Sequence, residues 1–255
     1  MKVLIGHTGL VGSTLTDKIK FDFLFNTKNI ETFNNYNFDG YDLYLSCLPA
    51  TKWMVNKNIT SDLNNMISII DIISKFNYNK IYLISTIDVY CDSPLESDEN
   101  YNPNFSDLNY GSNRLLFEKL IKNYLTYEKI YTFRLPAVFN KKIKKNVIYD
   151  LINNNNVDQI NVNSKYQWYN LDYLDEDINF LISTFPNETI FNLFTEPIDT
   201  KEIVDLFENH KDKVVYNKNS VVYDFKTKHF VSGYLKNKTE IFDEIKKFVN
   251  EFSGK

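Results

Sequence analysis

Glycine is scarce in this chain: seven residues in 255, at positions 6, 9, 12, 40, 111, 233 and 254. Cysteine is scarcer still, and Cys47 and Cys91 cannot staple a secreted scaffold. Three scattered histidines, His7, His210 and His229, add no metal-ligand spacing to those two thiols. No apolar run approaches the ~20 residues that a membrane span needs, and the N-terminus lacks signal-peptide flanks. Positive charge is not in excess either. Lys and Arg number 29 against 33 Asp and Glu, a net charge of -4, where a phosphate-backbone binder would be basic. These absences predict a reduced, soluble, cytoplasmic chain with neither nucleic acid nor membrane as partner. Its 43% hydrophobic and 24% charged residues are those of a globular protein. At roughly 150 residues per domain, the length suits more than one small module and less than two full domains.

Three of the seven glycines fall within seven positions. Asparagine serves many turn positions in this sequence, but it cannot replace a missing Cβ where a ligand or another backbone comes close. Met1 to Ile5 reads as a strand buried on both faces, Gly6-His7-Thr8-Gly9-Leu10-Val11-Gly12 as a turn, and Ser13 to Ile19 as a helix. A strand, a glycine turn and a helix N-terminus together make a phosphate-binding unit. Gly6, Thr8, Gly9, Leu10, Val11 and Gly12 are its candidate cofactor contacts.

A second strand, Phe21 to Phe25, ends at Asn26-Thr27-Lys28. An acid at this place would accept from a ribose 2′-hydroxyl and repel a 2′-phosphate. Asn26 is neutral and Lys28 follows, which favours NADP, with NAD as the alternative. Lys28 is equally readable as a solvated turn lysine, and Glu31 as a displaced ribose acceptor would reverse the preference. Further strands are expected at Tyr41 to Cys47, Ile81 to Ser85 and Ile130 to Leu135, with helices at Ile59 to Phe76 and Leu115 to Tyr127. That alternation predicts an α/β doubly wound parallel sheet.

Ser85-Thr86-Ile87-Asp88-Val89-Tyr90 sits at a strand end, where open α/β sheets hold ligands. Tyr110-Gly111-Ser112-Asn113-Arg114 opens a helix 24 residues on, counted from Thr86 to Tyr110. Residues i and i+4 share a helix face, so Arg114 is expected beside Tyr110. A phenol with an ordinary pKa of about 10 needs such a cation to bring it toward neutrality.

With these motifs the chain resembles the extended short-chain dehydrogenase/reductases, in the NAD-dependent epimerase/dehydratase group acting on nucleotide sugars. The likeness is carried by Gly6-x-Thr8-Gly9-x-x-Gly12, Ser85-Thr86-x-x-Val89-Tyr90, Tyr110-x-x-x-Arg114 and Arg134-Leu135-Pro136-x-Val138-Phe139, and more weakly to about residue 210. It implies a Rossmann-type core with Tyr110 as proton donor or acceptor and Thr86 bonding the substrate oxygen. Arg114 would hold the nicotinamide ribose. Cys47, Leu48, Pro49 and Pro136 join Asn26, Lys28, Tyr110 and Arg114 as cofactor contacts, and two copies would pair through helices flanking the tyrosine. Arginine stands at 114 where the family usually has lysine, and the two are not equivalent. Asp88 is a candidate substrate contact, either the acid of a dehydration or a loop cap.

The resemblance divides the chain into a dinucleotide-binding core, 1–140, and a small C-terminal substrate-binding part, 141–255, of which 157–205 returns to the core. Lys141, Lys142, Lys144 and Lys145 either meet a diphosphate or are solvated. Tyr166 to Tyr169 reads as an aromatic strand, core by default. Asp175-Glu176-Asp177 starts a helix, and Thr239 to Phe252 is amphipathic. Two functions fit: a hydride-transferring enzyme on a nucleotide sugar or keto-sugar, or a dinucleotide-binding sensor without turnover.

Overall fold

The computed structural model describes residues 1–105 and 107–253. The chain divides into two compact units, 1–94 with 101–134 and 174–191, and 95–100 with 135–173 and 192–255. The chain leaves the first unit after Arg134 and returns to it over Leu174–Phe191.

The first unit grows from β1 (Lys2–Ile5), whose last three residues are buried. It pairs in parallel with β2 (Phe23–Phe25) on one side and β3 (Asp42–Leu45) on the other. β3 pairs in parallel with β4 (Asn77–Thr86), and β5 (Thr126–Leu135) and β9 (Ile190–Asn192) complete the order β2-β1-β3-β4-β5-β9. Strand order reverses between β1 and β3, the switch point at which such sheets bind ligands.

One wing of this sheet is short. After β2 the chain makes a single 3-10 turn, Ile30–Asn35, and then an aromatic plug. Phe33 and Phe38 are fully buried with ring centroids 4.3 Å apart, and Phe25 and Phe76 meet them edge-on. Such ring pairs add about 0.5–1.5 kcal/mol each beyond the area they bury, which offsets the absent crossover helix and strand.

Helix boundaries follow local chemistry. α1 (Leu10–Lys18) begins three residues before the expected Ser13, because Gly9 is extended and ends the turn. α2 (Lys52–Lys57) is a six-residue helix with no counterpart in the sequence reading. α3 (Ile59–Ile73) is capped by Asn58, which accepts from the Ser61 N–H, and buries Met66, Ile69, Ile70 and Ile73. It stops short of Phe76: the Tyr78 hydroxyl takes the Ile73 carbonyl at 2.8 Å, and Phe76 turns into the plug. α4 (Tyr110–Tyr124) starts with a reciprocal cap between Asn109 and Ser112. α6 (Leu174–Thr184) starts at the acidic triplet, as charge at a helix N-terminus favours.

The second unit holds two small sheets. β6 (Ala137–Phe139) runs parallel to β8 (Trp168–Asn170), and β7 (Lys165–Tyr166) antiparallel to β10 (Ile198–Asp199). Trp168 and Tyr169 are core residues, the default for that aromatic stretch. α5 (Val147–Asn153) packs against both α7 (Thr200–Val204) and α8 (Lys238–Ser253), and in α8 Ile241 and Ile245 are fully buried and Phe248 meets Phe139. The buried Glu99 carboxylate accepts from the Asn192 N–H, the Thr227 hydroxyl and the Lys228 N–H at 2.7–2.8 Å.

Candidate functional site

The three clustered glycines have different reasons to be glycine. A Cβ on Gly6, where φ is +99°, would lie 2.1 Å from the Ser46 carbonyl oxygen at the end of β3. A Cβ on Gly12 would lie 2.1 Å from the Gly6 carbonyl oxygen, so the first turn of α1 crosses directly over the strand end. Gly9 is not forced in this way: its nearest neighbour would be 3.4 Å off, an ordinary contact. It is exposed beside Thr8, ahead of half-buried Leu10 and Val11. The nine-residue α1 has no side-chain cap and no acid in its first turn. An exposed Gly9 just ahead of a helix N-terminus that carries no side-chain cap is a place a pyrophosphate can approach.

At the end of β2, Asn26 is a brace. Its Oδ1 accepts from the Lys28 N–H at 2.8 Å, and its own N–H donates to Asn29 Oδ1 at 2.7 Å. His7 Nδ1 donates to the Phe25 carbonyl at 2.9 Å, which leaves Nε2 to accept from Asn26 Nδ2 at 3.3 Å. The sequence reading passed over His7, although it occupies the variable place between two turn glycines. Lys28 and Glu31 are both exposed.

Across the switch point, Cys47 follows β3, and burial pushes its thiol up to about 12. Leu48 packs against the core, and the Pro49 carbonyl is taken by Arg114. Pro136 lies in the second unit.

Thr86 is the last residue of β4. Its Oγ1 accepts from the Asp88 N–H at 3.2 Å and lies 3.5 Å from Asp88 Oδ2. Its neighbours in the motif serve the core: Ser85 donates to Glu118, which also holds Arg134 through Nε and Nη2, and Arg134 Nη1 reaches the Tyr90 hydroxyl. Gly111 fixes the approach of α4, since a Cβ there would lie 2.0 Å from the Asp88 carbonyl oxygen. Tyr110, one residue earlier, is therefore set against the Thr86–Asp88 turn, and its N–H donates to Asn56 Oδ1 at 2.7 Å.

Arg114 lies beside that tyrosine, its guanidinium carbon 4.5 Å from the ring centroid. Nη1 and Nη2 bond Asp62 Oδ2 and Oδ1 at 2.7 and 3.0 Å, and Nη2 also donates to the Pro49 carbonyl at 2.7 Å. Arg114 lowers the phenol, as its place beside the ring leads one to expect, but it does not set the net direction. Desolvation holds Tyr110 above its ordinary range, Arg114 opposes this only partly, and Asp88 adds to the rise. Asp62 was also missed, although an acid on the face of α3 that buries Met66, Ile69 and Ile70 is a visible signal. The third missed group is Lys52, whose ammonium lies 2.6 Å from Asp88 Oδ1.

Among the described residues, no group of three or more His, Cys, Asp or Glu is placed to hold a metal, and no helix is long and apolar enough to cross a membrane.

No family model and no curated protein matches the chain. Solved structures do. The chain is similar to MoeE5 in complex with UDP-glucuronic acid and NAD at 11% identity and TM-score 0.73, over 99% of this chain and 98% of that one. It is similar to the dTDP-4-dehydrorhamnose reductase of Bacillus anthracis in complex with NADP at 15% identity and TM-score 0.69, over 98% of both chains. A UDP-glucose 4-epimerase of Thermus thermophilus in complex with NAD gives 13% identity and TM-score 0.67, over 100% and 99%. These likenesses establish a Rossmann-type α/β fold.

Proposed function

We propose that the chain is a nicotinamide-dinucleotide-dependent oxidoreductase or epimerase of the extended short-chain dehydrogenase/reductase type, acting on a nucleotide sugar or related keto-sugar. The observation that carries the reading is Gly9: a glycine that packing does not force, exposed at a helix N-terminus beside the switch point. Solved structures sharing the fold carry NAD or NADP in their complexes, one of them with a UDP-sugar acid. Gly6, Thr8, Gly9, Leu10, Val11 and Gly12 would hold the pyrophosphate. Asn26 and Lys28, with no acid at the end of β2, favour NADP over NAD. Cys47, Leu48 and Pro49 would line the cofactor just after β3 and Arg114 from α4, and the family resemblance adds Pro136 to the proposed contacts.

When bound, the dinucleotide supplies or takes up a hydride. Tyr110 exchanges the proton of the substrate hydroxyl, and Thr86 orients that oxygen by a hydrogen bond. Asp88 is engaged by the Lys52 ammonium at 2.6 Å and by the Thr86 turn, which favours the loop-cap reading of Asp88 over a dehydration. Two copies pairing through the helices that flank Tyr110, α3 and α4, would be read from mass in solution.

The second reading, a dinucleotide sensor without turnover, is favoured by the commitment of Arg114 to Asp62. Incubation with NADP(H) and a panel of nucleotide sugars, following absorbance and products, separates the two. Turnover that disappears in Tyr110→Phe supports the enzyme; bound dinucleotide without turnover across the panel supports the sensor. Tighter binding of NADH than NADPH would reverse the cofactor preference.

A further inference from the structure

Arg114 has little left to offer a ligand. Its terminal nitrogens are directed at Asp62, at Met66 Sδ and at the Pro49 carbonyl, which leaves Nε–H alone among its five donors. Its side chain is 6% exposed, and its charge is matched at bonding distance by Asp62.

A second cation of different character stands at the same tyrosine. Lys52 opens α2, and Asn56 lies four residues on, on the same helix face. Asn56 bonds the Tyr110 N–H, so this face of α2 is pinned to the start of α4. From there the ammonium reaches Asp88, whose other oxygen lies beside the Thr86 hydroxyl. The Lys52 side chain is 46% exposed. The charged and titratable groups facing Lys52 are Asp88, Cys91 and Tyr110; those facing Tyr110 are Arg114, Asp88 and Lys52. Burial works against the charge on Lys52, yet Asp88 outweighs it and holds the ammonium above its ordinary range.

We propose that Lys52 is a positioning residue of the Tyr110 site: it holds Asp88 beside Thr86 and supplies the positive charge that balances a Tyr110 phenolate. The assignment rests on the acid–base reading given above. In the reductive direction the Tyr110 O–H bond breaks and its proton passes to the substrate oxygen. The substrate carbon gains its hydride from the reduced nicotinamide dinucleotide, and a phenolate remains. Arg114 is the larger of the two lowering influences on Tyr110, but it is fixed on Asp62 before and after that moment. A flexible, half-exposed ammonium can turn toward the new negative charge, which a planar fork clamped on three partners cannot do.

Two measurements on the full chain test this. The Cys91 thiol, pushed up to about 11 by burial, is raised further by Asp92 and lowered by Lys52. Its alkylation by iodoacetamide at a fixed alkaline pH, quantified by peptide mass, therefore reads the Lys52 charge without any turnover. Lys52→Met is expected to slow that labelling about fivefold, and Lys52→Arg to leave it nearly unchanged. In turnover with NADPH and a nucleotide keto-sugar, Lys52→Met is expected to lower kcat by about tenfold or more. KM for the dinucleotide should hold, and the pH limb set by Tyr110 should move to higher pH. Lys52→Arg should recover most of kcat. Unchanged labelling, or an unchanged kcat and pH limb, in Lys52→Met overturns the proposal. Wild-type protein that binds dinucleotide without turnover, with labelling still sensitive to Lys52, would instead sink the enzymatic reading and leave the charge where it is assigned.

Discussion

Arg114 and Asp62 meet through two nitrogen–oxygen bonds of 2.7 and 3.0 Å, with side chains 6% and 3% exposed. They are 52 residues apart in sequence, and the pair ties α4 to α3 beneath Tyr110. A buried fork of this kind is costly to open from one side, because the remaining charge has no solvent to turn to.

Asp62→Asn should therefore destabilise the chain by about 3–5 kcal/mol in urea unfolding, as should Arg114→Met. The double variant Asp62→Asn with Arg114→Met should lose far less than the sum of the two. A double-mutant cycle with no coupling would contradict the pairing.

Arg114→Lys restores the residue that the resemblance leads one to expect, yet it should not speed turnover. A single ammonium cannot span both Asp62 oxygens and the Pro49 carbonyl, so a loss of about 1–3 kcal/mol and an equal or lower kcat are expected. A large gain in rate would mean that the fork does not hold in solution.

The glycine turn gives a paired expectation. Gly9→Ala should fold with wild-type stability and lose about tenfold in dinucleotide affinity, measured by titration calorimetry. Gly12→Ala should instead lose about 1–3 kcal/mol of stability, because its methyl would sit against the Gly6 carbonyl. Equal effects on both properties in both variants would refute the distinction.

Stability should fall steeply in alkali. Burial raises Cys47 from 9.0 to about 12, Cys91 from 9.0 to about 11 and Tyr82 from 10.0 to about 12, and it raises Tyr44 and Tyr78 further. The native state thus holds protons that the unfolded chain has already released. The stabilisation is complete below pH 9 and drains away as pH climbs toward the native values. Tyr44 and Tyr82 stack in register on β3 and β4, centroids 4.2 Å apart. Tyr44→Phe should flatten the fall of Tm above pH 10, and an unaltered slope would count against this account.

Rules tied to single residue types made the most of this structure legible. Glycines at 6, 9 and 12 located the turn, a hydroxyl at a strand end located Thr86, and i, i+4 spacing put Arg114 beside Tyr110. Periodicity found α3 and α8 because each buries a long apolar stripe. It could not find α2, a helix of six residues held by two polar ties with Val55 as its one buried residue. Partnerships between distant charges were equally hidden, since nothing local in Asp62 names Arg114 or in Lys52 names Asp88. Spacing likewise placed a cation at the Tyr110 ring but gave no sign of the burial that, more than any neighbouring charge, holds the phenol up. The short sheet wing was unforeseen because Phe33 and Phe38 have no repeating pattern to betray a plug.

Glu99 waits a long time for its partners. The hydroxyl and the amide that satisfy its carboxylate belong to Thr227 and Lys228, 128 and 129 residues downstream. The polypeptide meanwhile passes from one compact unit to the other four times. The first unit has all its residues once Phe191 has been made, whereas the second must wait. A nascent fragment ending before Thr227 would leave the Glu99 carboxylate with the Asn192 N–H but without its other two donors, so vectorial synthesis closes the second unit last.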